Sequence, residues 1–190
     1  MEEYLMHLET QRLVIREIQD TDWKAIHTYT QLPEVTKYTA WGPNTEADTQ
    51  AYVREVIAQQ QQSSRQDYEF AICLQHEGTL IGGIGIHVHQ TNAEIGYVLN
   101  PDHQGKGYVT EAAQAILTYG FETLDVHRIY ATCRPANRAS EKVMQKIGMT
   151  REGMMREHWY YKGEFHDSYL YSILAKEYRK HSNKSNKKKL

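Results

Sequence analysis

The stretch "NPDHQGKGYVTEAA", Asn100 to Ala113, decides how this chain is read. It packs Pro101, Gly105 and Gly107 into a few residues, sets Lys106 between the glycines, and runs into a good helix former. A helix N-terminus presents unpaired N–H groups and about half a positive charge. Glycines accept positive φ and let backbone approach a ligand closely. Gln104, Gly105, Lys106, Gly107, Tyr108, Val109 and Thr110 are therefore candidates for a cradle of amides around a phosphate or diphosphate. A plain strand-to-helix turn is the simpler reading of the same residues. The common nucleotide fingerprints fit badly. No GxxxxGK[ST] span is present, and in a GxGxxG frame Thr110 stands where the third glycine belongs. "GGIGIH", Gly82 to His87, lies inside a strand pattern and opens no helix.

Upstream of this turn, "AEIGYVLN" reads as a strand, and "DYEFAICLQ" and "TLIGGIGIHVH" as an antiparallel hairpin joined by "HEGT". Earlier still, "RLVIREI" alternates as a strand and "DTDWKAIHTYT" begins with a capping cluster. A loop with Pro33, Gly42 and Pro43 then leads to the helix "EADTQAYVREVIAQQQQ". Downstream, "TEAAQAILTYGFETL" puts Ala112, Ala115, Ile116 and Tyr119 on one helical face. "RIYATCR" is a fifth strand, and "NRASEKVMQKIG" a helix capped by Asn137 and stopped by Gly148. The remainder reads as two strands joined through "YKGE". This order predicts one mixed α/β (α+β) domain over residues 1–175.

The chain has 190 residues, 40% hydrophobic and 24% charged, as expected of a soluble globular domain with a full core. No apolar run nears the roughly 20 residues that span a bilayer, so no membrane association is expected. The acidic start "MEEYLMHLET" does not read as a secretory signal. Cys73 and Cys133 are far apart and read as reduced thiols of a cytoplasmic protein. The net charge of −2 hides a basic tail, residues 176–190, of +6 against a body of −8. That tail is expected to be a disordered, solvated end, with contact to RNA or ribosome as the sharper reading. The acidic body predicts no direct nucleic-acid binding.

The run after "AEIGYVL" resembles the acyl-CoA loop of the GNAT N-acetyltransferases, and "HQGKG" is similar to the RimJ/RimL-like branch that acetylates N-termini of ribosomal proteins. "LETQRLVIREI", "RIYATCRPANRASEKVMQKIGMTREG" and "REHWYYKGEFHDSYLYSIL" extend the resemblance over nearly the whole chain, in order. The resemblance implies a GNAT fold, a mostly antiparallel mixed sheet splayed between strands four and five and flanked by helices. It implies acetyl-CoA as cosubstrate and no metal. The pantetheine arm is expected in the splay against backbone of Val98 and Leu99, the pyrophosphate on the amides from Gln104 to Thr110, and Asn137 on the other side of the arm.

The activity so implied is direct attack of a primary amine on acetyl-CoA in a ternary complex, with a protein N-terminus as the expected acceptor. A small-molecule amine (polyamine, amino acid or antibiotic) and a non-catalytic acyl-CoA-binding module are the alternatives. A monomer or homodimer is expected. Such transfer needs a neutral amine, donors for the oxyanion and a proton for the departing thiolate. Ser140, three residues after Asn137, resembles the branch's Asn-x-x-Ser, whose serine serves the leaving sulfur; as a bare sequence feature it is a first-turn residue of a capped helix. Glu94 matches a position near the acceptor channel and could relay a proton through water, or simply pair at a strand edge. Trp41, Trp159 and Tyr160 lie in loop-like "YTAWGP" and "HWYYKG" and are expected to line the acceptor mouth. Some ribosomal enzymes carry Glu where this chain has Trp159. His87 and His89 alternate on a strand without a clear third ligand, which argues against a metal. Cys133 reads as a small residue packed beside CoA.

Overall fold

A computed structural model describes residues 7–180. The strands are β1 (His7–Glu9), β2 (Leu13–Glu17), β3 (Asp67–Leu74), β4 (Leu80–His89), β5 (Asn92–Leu99), β6 (Arg128–Cys133), β7 (Thr150–Tyr161) and β8 (Glu164–Leu174). The helices are α1 (Trp23–Thr30), α2 (Glu46–Gln60), α3 (Tyr108–Glu122) and α4 (Arg138–Lys146). One sheet holds the strands in the order β1-β2-β3-β4-β5-β6-β8-β7. Every neighbouring pair is antiparallel except β5 and β6, which run parallel.

Period-two alternation divides the sheet into two faces. Phe70, Ile72, Ile84, Ile86, Ala93 and Ile95 join Ala112, Ile116 and Met144 in the larger core, under α3 and α4. Ala71 and Cys73 face the other way and pack with Ile26, Tyr29, Val53 and Val56 of α1 and α2. The local signals act where they stand. Thr45 caps α2 and forms a reciprocal capping box with Asp48. The side chain of Asn137 accepts the Ser140 N–H at the start of α4, and Gly148 takes φ +87° beyond its end.

The structure corrects the expected elements at four points. The three-residue β1 pairs with β2 and carries too few residues for a visible pattern. The first helical segment is a 3-10 turn, Asp20–Asp22, followed by α1. Helix α3 begins at Tyr108, directly after Gly107, and not at Thr110. The folded part also runs past residue 175: residues 175–180 are helical. There Tyr178 stacks on Phe121 at 4.9 Å and donates to Glu122 at 2.9 Å. The rest of the basic tail, 181–190, lies outside the described residues. Among the described residues no helix is long and apolar enough to cross a membrane.

Candidate active site

The fourth and fifth strands expected from the sequence are β5 and β6, and they part. Only Asn92, Ala93 and Glu94 pair with Arg128, Ile129 and Tyr130, whereas β5 stays paired with β4 as far as Leu99. The gap therefore opens beyond Glu94. Hydrogen-bond direction alternates along a strand. Thr91 O accepts from His127 on the β6 side, and Asn100 N–H donates to Ile81 on the β4 side. Odd-numbered residues of β5 thus turn their peptide groups to the gap. Leu99 is one of these, and its carbonyl accepts from the Gln104 side chain at 3.3 Å. The peptide groups of Val98 face β4, and those of Tyr97 face the gap.

The glycine turn lies at the C-terminal end of β5. Asn100 accepts the Asp102 N–H at 3.1 Å and shapes a short 3-10 turn, Pro101–His103. Gly105 and Gly107 sit at φ +76° and +84°. Gly107 is the N-cap of α3, and no side chain caps that helix start, so the amides of Tyr108, Val109 and Thr110 have no side-chain partner there. No atom lies within 4 Å of where a Cβ on Gly105 would stand. Lys106 folds back, Nζ donating to Asp102 O at 3.1 Å. The residue that fixes the turn is Arg12, which the sequence reading did not single out. Its Nη1 donates to Lys106 O at 3.0 Å, and its Nε donates to Glu111 at 2.7 Å. Glu111 also accepts from Thr10 at 2.7 Å and from the Arg12 N–H at 2.9 Å. Despite burial, those bonds hold its carboxyl below the usual range. A groove of about 380 Å³ between Arg12, Gly107, Thr110, Gln114 and Lys146 adjoins the turn. Bare amides, a helix N-terminus and nearby cations fit the diphosphate of an acyl-CoA.

Ser140 lies on the helix face of the gap. The Tyr97 hydroxyl, 3.0 Å from Ser140 Oγ and 3.1 Å from its carbonyl, ties β5 to α4 across the opening. Burial pushes the Tyr97 phenol well up, so it stays protonated. Burial likewise pushes the Cys133 thiol up to about 11, which suits packing and not nucleophilic attack.

Glu94 has the opposite parity and points to the other face, beside Tyr130. Burial first, and then the Glu94 carboxylate, raise the Tyr130 phenol. On this face His158 Nδ1 lies 2.8 Å from Ser168 Oγ, whose residue is fully buried. Burial and then the Arg134 charge lower the His158 pKa, while Glu94 opposes them. The Arg134 and Glu94 charges thus both act on the His158 imidazole.

Of the aromatic residues expected at the acceptor mouth, Trp159 and Tyr160 lie in β7 and Trp41 in the loop before α2. Trp159 is 47% exposed and meets His158 edge to face at 5.5 Å. Tyr160 lies on the opposite face of the β7–β8 hairpin from Trp159, pairs with Phe165 at 4.9 Å and is 63% exposed. Tyr161 is the buried residue of the run. Trp41 is half exposed in the loop 31–45, which Lys162 of the hairpin tip reaches by donating to Thr36 O at 2.6 Å. His87 is held at both ring nitrogens by Asp67 and Glu69. Among the described residues no group of three or more His, Cys, Asp or Glu could hold a metal ion.

Comparison with known proteins agrees with this geometry. Residues 12–150 match the family model described as an acetyltransferase (GNAT) domain. The uncharacterized N-acetyltransferase YnaD of Bacillus subtilis is 42% identical over 91% of this chain and 99% of its own. The crystal structure of a GNAT-family acetyltransferase from Bacillus anthracis superposes with a TM-score of 0.82 at 40% identity, covering 90% of this chain and 100% of the other. RimL, a ribosomal L7/L12 alpha-N-protein acetyltransferase, shares the fold with a TM-score of 0.80 at 23% identity, over 90% of this chain and 94% of its own.

Proposed function

The chain belongs to the GNAT acetyltransferase family, and we propose that it transfers the acetyl group of acetyl-CoA to a protein N-terminal α-amine by direct attack within a ternary complex. The observation that carries this reading is the β5–β6 gap, with Ser140 and Tyr97 on one face and Glu94 on the other.

An α-amine has a pKa near 8, so modest help makes it neutral. Glu94 draws the ammonium to the gap and takes its proton through water. The nitrogen then attacks the thioester carbon, a C–N bond forms, and the C–S bond breaks. Amides around the gap stabilise the oxyanion. Ser140, oriented by Tyr97 and by the cap of α4, donates a hydrogen bond to the departing thiolate; the proton taken by Glu94 leaves to water, and the second proton, lost by the nitrogen as the amide forms, ends on the free thiol. Asn137 and Leu99 bound the pantetheine arm, and the amides from Gln104 to Thr110 hold the diphosphate.

Thiol release from acetyl-CoA in the presence of an amine panel tests this reading. Ser140→Ala should lower kcat by roughly 10–100-fold and leave acetyl-CoA affinity within a few-fold. Tight CoA binding with no turnover of any amine would make the chain a binding module instead. A preference for polyamines would make it a small-molecule enzyme.

A further inference from the structure

Two buried donors on the acceptor face lack partners. The Tyr161 hydroxyl and Arg134 Nη1 are buried and make no hydrogen bond. Tyr161 as a whole is 8% exposed. Its ring stacks on His166 at 3.8 Å, and the Arg134 guanidinium lies 6.0 Å from the ring centre, so the two side chains are neighbours. Arg134 directly follows Cys133, the last residue of β6, and so stands beyond the paired part of β5 and β6. Arg134 and Glu94 flank the same imidazole, that of His158. Arg134 has the parity of Tyr130, the β6 residue paired with Glu94, and so lies on Glu94's face of the sheet, farther along the gap. Buried donors without acceptors are costly and rare, and a ligand that supplies the acceptor removes the cost.

We infer that Arg134 and Tyr161 form a subsite for the carbonyl or carboxylate oxygen next to the acceptor amine, which selects α-amino-acyl acceptors over polyamines and alkylamines. The inference rests on the N-acetyltransferase reading above and adds its selectivity. A peptide N-terminus and a free amino acid share this chemistry. The guanidinium forks onto either kind of oxygen. A polyamine offers no acceptor oxygen, and its second ammonium would meet the Arg134 charge. A site built to hydrogen-bond a substrate group rejects the analogue that lacks it, because its own buried groups then stay unpaired.

Initial rates with acetyl-CoA decide the matter, using the tripeptide Ala-Gly-Gly, free alanine, isopropylamine and spermidine. The wild-type kcat/KM for the tripeptide or for alanine should exceed that for isopropylamine by at least roughly 100-fold. Whichever of the two is the better substrate identifies the source of the α-amino-acyl group. In Arg134→Met and Tyr161→Phe, checked for a native melting curve, that ratio should fall at least tenfold while the KM for acetyl-CoA holds. A wild-type preference for spermidine or isopropylamine overturns the inference and leaves the enzyme an N-acetyltransferase. So does a ratio that both variants leave unchanged, and so does a rise in acetyl-CoA KM with every acceptor, since the donors would then serve the pantetheine amides. CoA binding without turnover of any amine overturns the catalytic reading and this inference together.

Discussion

Gly107 takes φ +84° as the last residue before α3, a conformation that costs an L residue about 1–2 kcal/mol and a β-branched one more. The space around it is not the obstacle, since a Cβ would meet only Arg12 Nη2, at 3.5 Å. Gly107→Val should therefore act through the backbone, turning the amides of Tyr108 to Thr110 away from the diphosphate. CoA affinity should drop at least tenfold, about 1.4 kcal/mol; calorimetric titration that finds it unchanged would remove the loop from the CoA site. Local residues such as this glycine, or Asn137 with Ser140, are legible in the sequence because caps and left-handed turns involve only near neighbours. Arg12, Tyr97, His158 and Arg134 were not legible as site residues. Lys106, Ser140 and Tyr161, the partners of Arg12, Tyr97 and Arg134, lie far along the chain, and Ser168 meets His158 only across the β7–β8 hairpin. Tyr160 and Tyr161 show the sharper limit. Adjacent residues of a strand face opposite ways, so two neighbouring tyrosines do not themselves say which one is inside.

Among the elements, the function depends on two strands that do not pair. Strand β5 is held along its whole length by β4, which lets its far edge stay free at the gap. Gly82 is what permits that close hold. A Cβ there would stand 2.4 Å from Val98 O and 2.9 Å from Leu99 Cδ1. The carbonyl is backbone and can yield only if β5 moves toward the gap. Gly82→Ala should thus cost roughly 1–3 kcal/mol in urea denaturation and weaken CoA binding with it. Gly83→Ala, whose Cβ would find its nearest neighbour at 3.6 Å, should do neither. Equal effects of the two variants would show that strand spacing does not set the gap. The strands themselves were readable from alternation, and β3, β4, β7 and β8 fall where it puts them. The implied splay came from resemblance, since no residue pattern marks where two strands stop pairing.

The stability of the whole molecule carries a signature of the face opposite α3 and α4. His87 of β4 is pinned by two carboxylates of β3, Asp67 at 2.8 Å from Nδ1 and Glu69 at 3.2 Å from Nε2. Tyr52 of α2 donates to Glu69 at 3.3 Å, and the Glu69 carboxylate lies over bare Gly85, where a Cβ would be 2.7 Å away. Glu94 is directly across from His87 in the β4–β5 register. The hydrogen bond that His87 donates to Glu69 leads the causes that raise its pKa from 6.5 to about 9, outweighing its burial. A pKa raised on folding stabilises the fold fully below the unfolded value, and the gain fades as pH climbs through the folded value. The imidazolium clamp should therefore be whole at pH 6 and lost by about pH 10. Its side chain is 31% exposed, so water screens the pair and the contribution should be about 1–2 kcal/mol. His87→Gln should separate from the wild type by that amount in urea denaturation at pH 6, and the two proteins should converge at pH 10. A gap of equal size at both pH values would mean that His87 contributes through packing alone and that its charge does not hold α2 to the sheet.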